Sequence, residues 1–168
     1  MEREHLQRAV DLHRNLTGAA PAGFYLGRTS PNTHRLTAEH GGFTYSADSY
    51  ADDLPYWERQ YAKPLLMVPY TLDANDMRFA TPQGFNSGEQ FFNYLKDAFD
   101  TLFAEGEAHP KMMSVGLHCR LVGRPGRAAA LARFLDYVGG HSRVWLARRI
   151  DIANHWIEHF PIEDRNHD

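Results

Sequence analysis

Met112-Met113-Ser114-Val115-Gly116-Leu117-His118-Cys119-Arg120-Leu121-Val122-Gly123-Arg124-Pro125-Gly126-Arg127 is the stretch that decides how this chain is read. A mostly apolar run, Met112 to Leu117, ends on a titratable residue, His118, and turns through Gly123 to Gly126 into the Ala/Leu/Arg-rich segment Ala128 to Val138. A strand that hands a titratable side chain to a loop and then to a helix is how parallel α/β folds place a reactive group at the carboxyl edge of their sheet. Period-two alternation puts Met113, Val115 and Leu117 on one face, suited to packing beneath a helix. Ser114, Gly116 and His118 then face a crowded interior where small residues fit, with His118 at its mouth. An imidazole there can act as general acid or base near neutral pH. It can equally be a buried, hydrogen-bonded core histidine, and these residues alone leave both readings open.

Outward from that stretch, strand and helix signals alternate. Glu2 to Leu16 has helical spacing, with Leu6, Ala9, Val10, His13 and Leu16 on one face and Gly18 placed to end it. Gly23 to Gly27 predicts a short strand, Asn32 to His40 a short helix, and Phe43 to Ser46 the next strand. A polar loop carrying Asp48, Asp52 and Asp53 comes after it, and Leu65 to Pro69 predicts a compact apolar strand. Thr71 to Gly88 lacks periodicity and reads as a long loop, a length that inside a compact domain is often functional. Ser87 with Gln90 resembles a capping box for a helix from Glu89 to Ala104. The strand at 112–118 and a helix from Arg127 to Val138 come next, then a last strand, Val144 to Ala147, and a final helix, Ile150 to Phe160. The tail Glu163 to Asp168 is expected to fray. The order predicts an α/β fold, a parallel sheet with helices outside, in a single domain over residues 1–168.

Composition narrows the classes. With 168 residues the chain can bury a real core, and 43% hydrophobic with 23% charged residues is ordinary for a soluble globular protein. The net charge of −3 is spread with both signs interspersed, and no basic stripe points to nucleic acid. Apolar runs such as Leu65 to Val68 fall far short of the roughly 20 residues of a membrane span. The charged start, Met1 to Arg8, has no apolar h-region, and the single cysteine, Cys119, fits a reducing compartment, so a cytoplasmic location is expected. Ten histidines invite a metal reading, but HExxH and CxxC are both missing. His155 and His159 stand i,i+4 on the last helix with no third ligand evident, and read as a surface pair. No metal or cofactor is expected.

Two more segments come directly after predicted strands. In Gly27-Arg28-Thr29-Ser30-Pro31-Asn32, a guanidinium at Arg28 can hold a carboxylate bidentately, or be a surface arginine before a helix. In Asp48-Ser49-Tyr50-Ala51-Asp52-Asp53-Leu54-Pro55-Tyr56-Trp57, carboxylates and aromatics could form a polar pocket with stacking walls or a solvated, Asp-capped turn.

Together Arg28 to Thr33, Asp48 to Trp57, and Ser114 to Arg120 with the turn Gly123 to Arg127 resemble the metal-independent allantoinases, a branch of the polysaccharide deacetylase family. The resemblance runs over nearly the whole chain. It implies a distorted (β/α) barrel that hydrolyses a cyclic amide C–N bond, opening the ring of allantoin to allantoate in purine (ureide) catabolism. It implies that His118 is the general acid toward the leaving nitrogen, that Arg28 matches the arginine that holds the family's catalytic aspartate, and that Asp48 supports that arginine. Tyr50, Asp53 and Trp57 are expected to line the substrate pocket. The family's first barrel strands have no counterpart, so the chain is expected to be a C-terminal half, a partial barrel truncated at its N-terminus. On that expectation it is inactive without a complementing N-terminal chain, and it associates with that chain or with itself as a homo-oligomer. The expected ligand is a small-molecule ureide, with neither nucleic acid nor membrane as partner. Two alternatives stand beside this: a deacetylase of N-acetylated carbohydrate, and a non-catalytic remnant serving as a binding or assembly module.

Overall fold

A computed structural model describes residues 1–162. In chain order the elements are α1 (Glu2–Thr17), β1 (Gly23–Phe24), α2 (Thr33–His40), β2 (Tyr45–Ser46), β3 (Tyr56–Glu58) and β4 (Leu65–Met67). The chain continues through a 3₁₀ helix (Asp76–Ala80), α3 (Gly88–Glu105), α4 (Cys119–Val122), α5 (Pro125–Gly139) and α6 (Arg149–His159). The expected fraying of Glu163 to Asp168 lies outside the described residues. The chain divides into two compact units, one of Met1–Pro69 with the chain from Ala147 onward, the other of Tyr70–Leu146.

The first unit is built on one sheet in the order β1-β2-β4-β3. Leu65, Leu66 and Met67 are all buried, which is why β4 reads as a continuous apolar run rather than an alternation. β1, β2 and β4 are parallel, as expected, but β3 runs antiparallel to β4 with Trp57 opposite Leu66. This corrects the loop expected at Tyr56-Trp57. Residues 59–64 are too few for the crossover that a parallel pair needs, whereas an antiparallel pair needs only a turn. α1 closes at Gly18, whose left-handed φ of 81° lets its N–H return to the Arg14 carbonyl. Glu2 accepts the hydroxyls of Ser30 and Thr33, tying the start of α1 to the approach to α2. The Arg149 guanidinium donates to the carbonyls of Val68 (2.7 Å) and Pro69 (3.1 Å), fastening α6 to the chain just past β4.

The second unit is helical. Phe91, Leu95 and Phe99 form the buried seam of α3, and Ala130, Phe134 and Val138 that of α5, both at i, i+4, i+8. Ala74 and Phe85 complete this core. Each fully buried large side chain contributes about 1.5–3 kcal/mol. The two helices approach closely at their starts: a side-chain carbon on Gly88 would lie 2.6 Å from the Gly126 carbonyl. Ser87 caps α3 by accepting from the Gln90 N–H, while the Gln90 side chain accepts from Asn86 rather than from Ser87, a shifted capping box.

The strands expected at Met112–His118 and Val144–Ala147 do not form. Of the first, only Gly116 pairs, in a single parallel bridge to Asn75. The partner segment turns into the 3₁₀ helix at Asp76, so the ladder ends after one rung. Met113 and Val115 still pack on the core, but Leu117, expected beneath a helix, is exposed. The expected loop Thr71 to Gly88 is folded on itself: the Phe85 N–H bonds to the Arg78 carbonyl, and the Arg78 guanidinium lies 4.9 and 4.7 Å from the rings of Phe85 and Tyr94.

Candidate active site

In the helical unit, the single rung at Gly116 fixes where His118 stands relative to the 3₁₀ helix. The Gly116 N–H donates to the Ala74 carbonyl (2.8 Å), and its own carbonyl accepts from the Asp76 N–H (2.9 Å). Two residues on, His118 leaves the extended backbone as the N-cap of α4. Asp76, the first residue of the 3₁₀ helix, is fully buried and points at it. Oδ1 of Asp76 lies 2.6 Å from Nδ1 of His118, and Oδ2 accepts the backbone N–H groups of His118 (2.8 Å) and Val122 (3.0 Å). With Asp76 as a carboxylate, which only accepts, Nδ1 is the donor of this contact, and in the neutral imidazole Nε2 then keeps its lone pair. The imidazole is 30% exposed, and Nε2 has no hydrogen bond among the described residues. The arrangement is an oriented base that can take a proton at Nε2 and return it, with Asp76 holding Nδ1–H throughout.

Sequence reasoning misses Asp76. The available signal is the unusual length of the Thr71–Gly88 loop, but nothing in it marks Asp76 over Asp73, because the partner lies 42 residues away.

In the sheet unit, Asp48 is buried just past β2. Its two oxygens accept the backbone N–H groups of Leu26 and Gly27, each at 2.8 Å, and its main-chain carbonyl accepts from His34 Nε2 at 2.9 Å. Gly27 has φ of 75°, the left-handed turn that lets two successive N–H groups converge on one carboxylate. The expected side-chain support of Arg28 by Asp48 is therefore replaced by a brace on the backbone just before Arg28. Arg28 itself is exposed, with no side-chain hydrogen bond or ion pair among the described residues. Tyr50 is exposed, its hydroxyl 3.4 Å from that of Tyr25, and Asp53 lies exposed on the same loop. Trp57 sits in β3, and its indole N–H donates to the Phe160 carbonyl at 2.9 Å. His34 joins Asp48 unforeseen, since one helical histidine among several carries no mark of that contact.

Among the described residues no three His, Cys, Asp or Glu side chains are placed to hold a metal ion. The rings of His155 and His159 stack, centroids 4.1 Å apart, on an exposed stretch of α6. No helix is long and apolar enough to cross a membrane, again among the described residues.

No protein-family model matches the chain. It is 40% identical over 177 residues to a Schizosaccharomyces pombe protein described as "Putative polysaccharide deacetylase", covering 95% of this chain and 55% of that one. Two solved structures are each 58% identical over 96% of this chain. One, a "probable Polysaccharide deacetylase" from Pseudomonas aeruginosa PAO1, superposes with a TM-score of 0.93 and is covered over 55% of its length. The other, PuuE allantoinase, superposes at 0.94 and is covered over 54%. A polysaccharide deacetylase relative from Mycobacterium smegmatis is 25% identical, with a TM-score of 0.80. The chain thus spans about half the length of the relatives it matches.

Proposed function

We propose that this chain, similar over about half their length to proteins described as polysaccharide deacetylases and to PuuE allantoinase, supplies the proton-transfer histidine of an allantoinase-like hydrolase. The observation that carries this reading is the buried Asp76 carboxylate, which orients His118 and leaves Nε2 open. The 58% identity to PuuE allantoinase favours a cyclic amide as substrate. In such a reaction an oxygen nucleophile adds to the amide carbonyl, and the tetrahedral intermediate collapses as the C–N bond breaks. The departing nitrogen must be protonated as it leaves, and the proton taken up at Nε2 of His118 meets that need. Arg28, carried on the turn that Asp48 braces, is exposed and able to hold a carboxylate through two parallel bonds. Tyr50 and Asp53 remain candidates for contacts to a polar, planar ureide.

A second reading, release of acetate from an N-acetylated carbohydrate, is favoured by the descriptions of the S. pombe and P. aeruginosa relatives. The two share the leaving-nitrogen chemistry and differ in substrate. The test combines the chain with a separately expressed chain covering the remaining half of a full-length relative. Allantoate formation is followed with allantoin, and acetate release with an N-acetylated chitooligosaccharide. Ring opening in the verified complex, reduced about 10²- to 10⁴-fold by His118→Asn, is the expected result. Acetate release without ring opening would select the second reading. A verified complex that turns over neither substrate would overturn both.

A further inference from the structure

The contact that orients His118 depends on where Asp76 stands, and one neighbouring side chain is built to decide that. Asn75 is the N-cap of the 3₁₀ helix that Asp76 opens, and its Oδ1 accepts the Met77 N–H at 2.8 Å. The same carboxamide lies flat against Gly116: a side-chain carbon built there would fall 2.5 Å from Nδ2 and 2.8 Å from Cγ of Asn75. Gly116 is also the residue whose two backbone hydrogen bonds grip the chain on either side of Asn75. One side chain therefore touches both segments that meet at the pair, the one carrying Asp76 and the one carrying His118.

We propose that Asn75 is a positioning residue for the Asp76–His118 pair, its carboxamide seated on Gly116 and capping the 3₁₀ helix so that the Asp76 carboxylate meets Nδ1. The physical basis is the shortness of the lever. Asp76 is the next residue after Asn75, and a displacement near 1 Å is enough to break a 2.6 Å contact or misplace a reacting group. Removing the carboxamide frees the Met77 N–H from its cap and opens the surface of Gly116 at once. The shape of Gly116 belongs to the same device, since any larger residue would push the carboxamide off its seat.

The functional meaning of this role rests on the proposed use of His118, but its test does not need turnover. The full chain is labelled with ¹⁵N and the histidine tautomers are read from long-range ¹H–¹⁵N correlations, with His118→Asn identifying the His118 signals. The native chain is expected to hold His118 in the Nδ1–H form. Asn75→Ala is expected to convert it to a mixture or to the Nε2–H form in a chain that remains folded, and Asn75→Ser, which keeps a capping oxygen, to retain the native form. Gly116→Ala is expected to reproduce the loss seen with Asn75→Ala, and it decides the matter should Asn75→Ala not fold. A folded Asn75→Ala or Gly116→Ala chain with the native tautomer would overturn the role of Asn75, as would a failure of Asn75→Ser to retain what Asn75→Ala loses. A native chain without the Nδ1–H form would refute the pair itself, and with it the functional reading.

Discussion

A histidine at the end of an extended segment has no fixed meaning until its second nitrogen is accounted for. At His118 the accounting is complete on one side and open on the other, and the buried partner carries the cost. Asp76 has three donors around it and is wholly buried, so its charge is compensated only while all three contacts persist. Asp76→Asn keeps the volume but turns one acceptor into a donor that faces N–H groups. The expected loss is about 1–3 kcal/mol of unfolding free energy, read from the urea midpoint of the full chain. An unchanged midpoint would mean that the carboxylate contributes nothing beyond its shape. His118 is visible in the sequence as a candidate because a strand-like run delivers it to a turn. Asp76 is not, because a carboxylate in an irregular loop has no periodicity to betray its direction.

Between elements, the clearest charge-dependent tie is Glu2 at the start of α1. The hydroxyls of Ser30 first, and then of Thr33, hold the Glu2 carboxyl below its ordinary value. A carboxylate with a lowered folded value stabilises above its unfolded value and loses that contribution as pH falls through the folded one. Glu2→Gln is therefore expected to lower the melting temperature at pH 7, with the difference from the native chain shrinking below about pH 4. Thermal unfolding at the two pH values checks this, and a difference that grows in acid would contradict it. The helices are legible because their apolar spacing survives into packing, as Phe91, Leu95 and Phe99 show on α3. The strands are less so. Met112 to Leu117 has an apolar composition fit for a strand, but a strand needs a neighbour's backbone, and only Gly116 finds one. Tyr56 to Glu58 is a strand for the converse reason, since β4 lies within reach of a short turn.

Over the whole molecule, the relatives are nearly twice as long as the region they share with this chain. In the sheet unit Leu12, Leu16, Tyr25 and Leu26 are exposed, Leu16 at 85%. In the helical unit Trp145 and Leu146 are exposed at 59% and 64%. Leu12 and Leu16 stand one helical turn apart on α1, and an exposed apolar pair of this kind favours association. The chain is expected to show concentration-dependent self-association in sedimentation velocity, weakened by Leu12→Glu with Leu16→Glu. Strictly monomeric behaviour across the micromolar range would argue against that surface as a site of association. By itself the sequence determined the longer helices, the α/β class and the resemblance to polysaccharide deacetylases, together with His118 as a residue of interest. Those rest on local periodicity and on long matching segments, which need no knowledge of distant contacts. Tertiary structure alone decided that β3 is antiparallel, that Asp48 braces the backbone before Arg28, and that Asp76 faces His118 with Asn75 behind it. Each of those depends on residues far apart in the chain meeting at hydrogen-bond distance, and no spacing along one sequence records such a meeting.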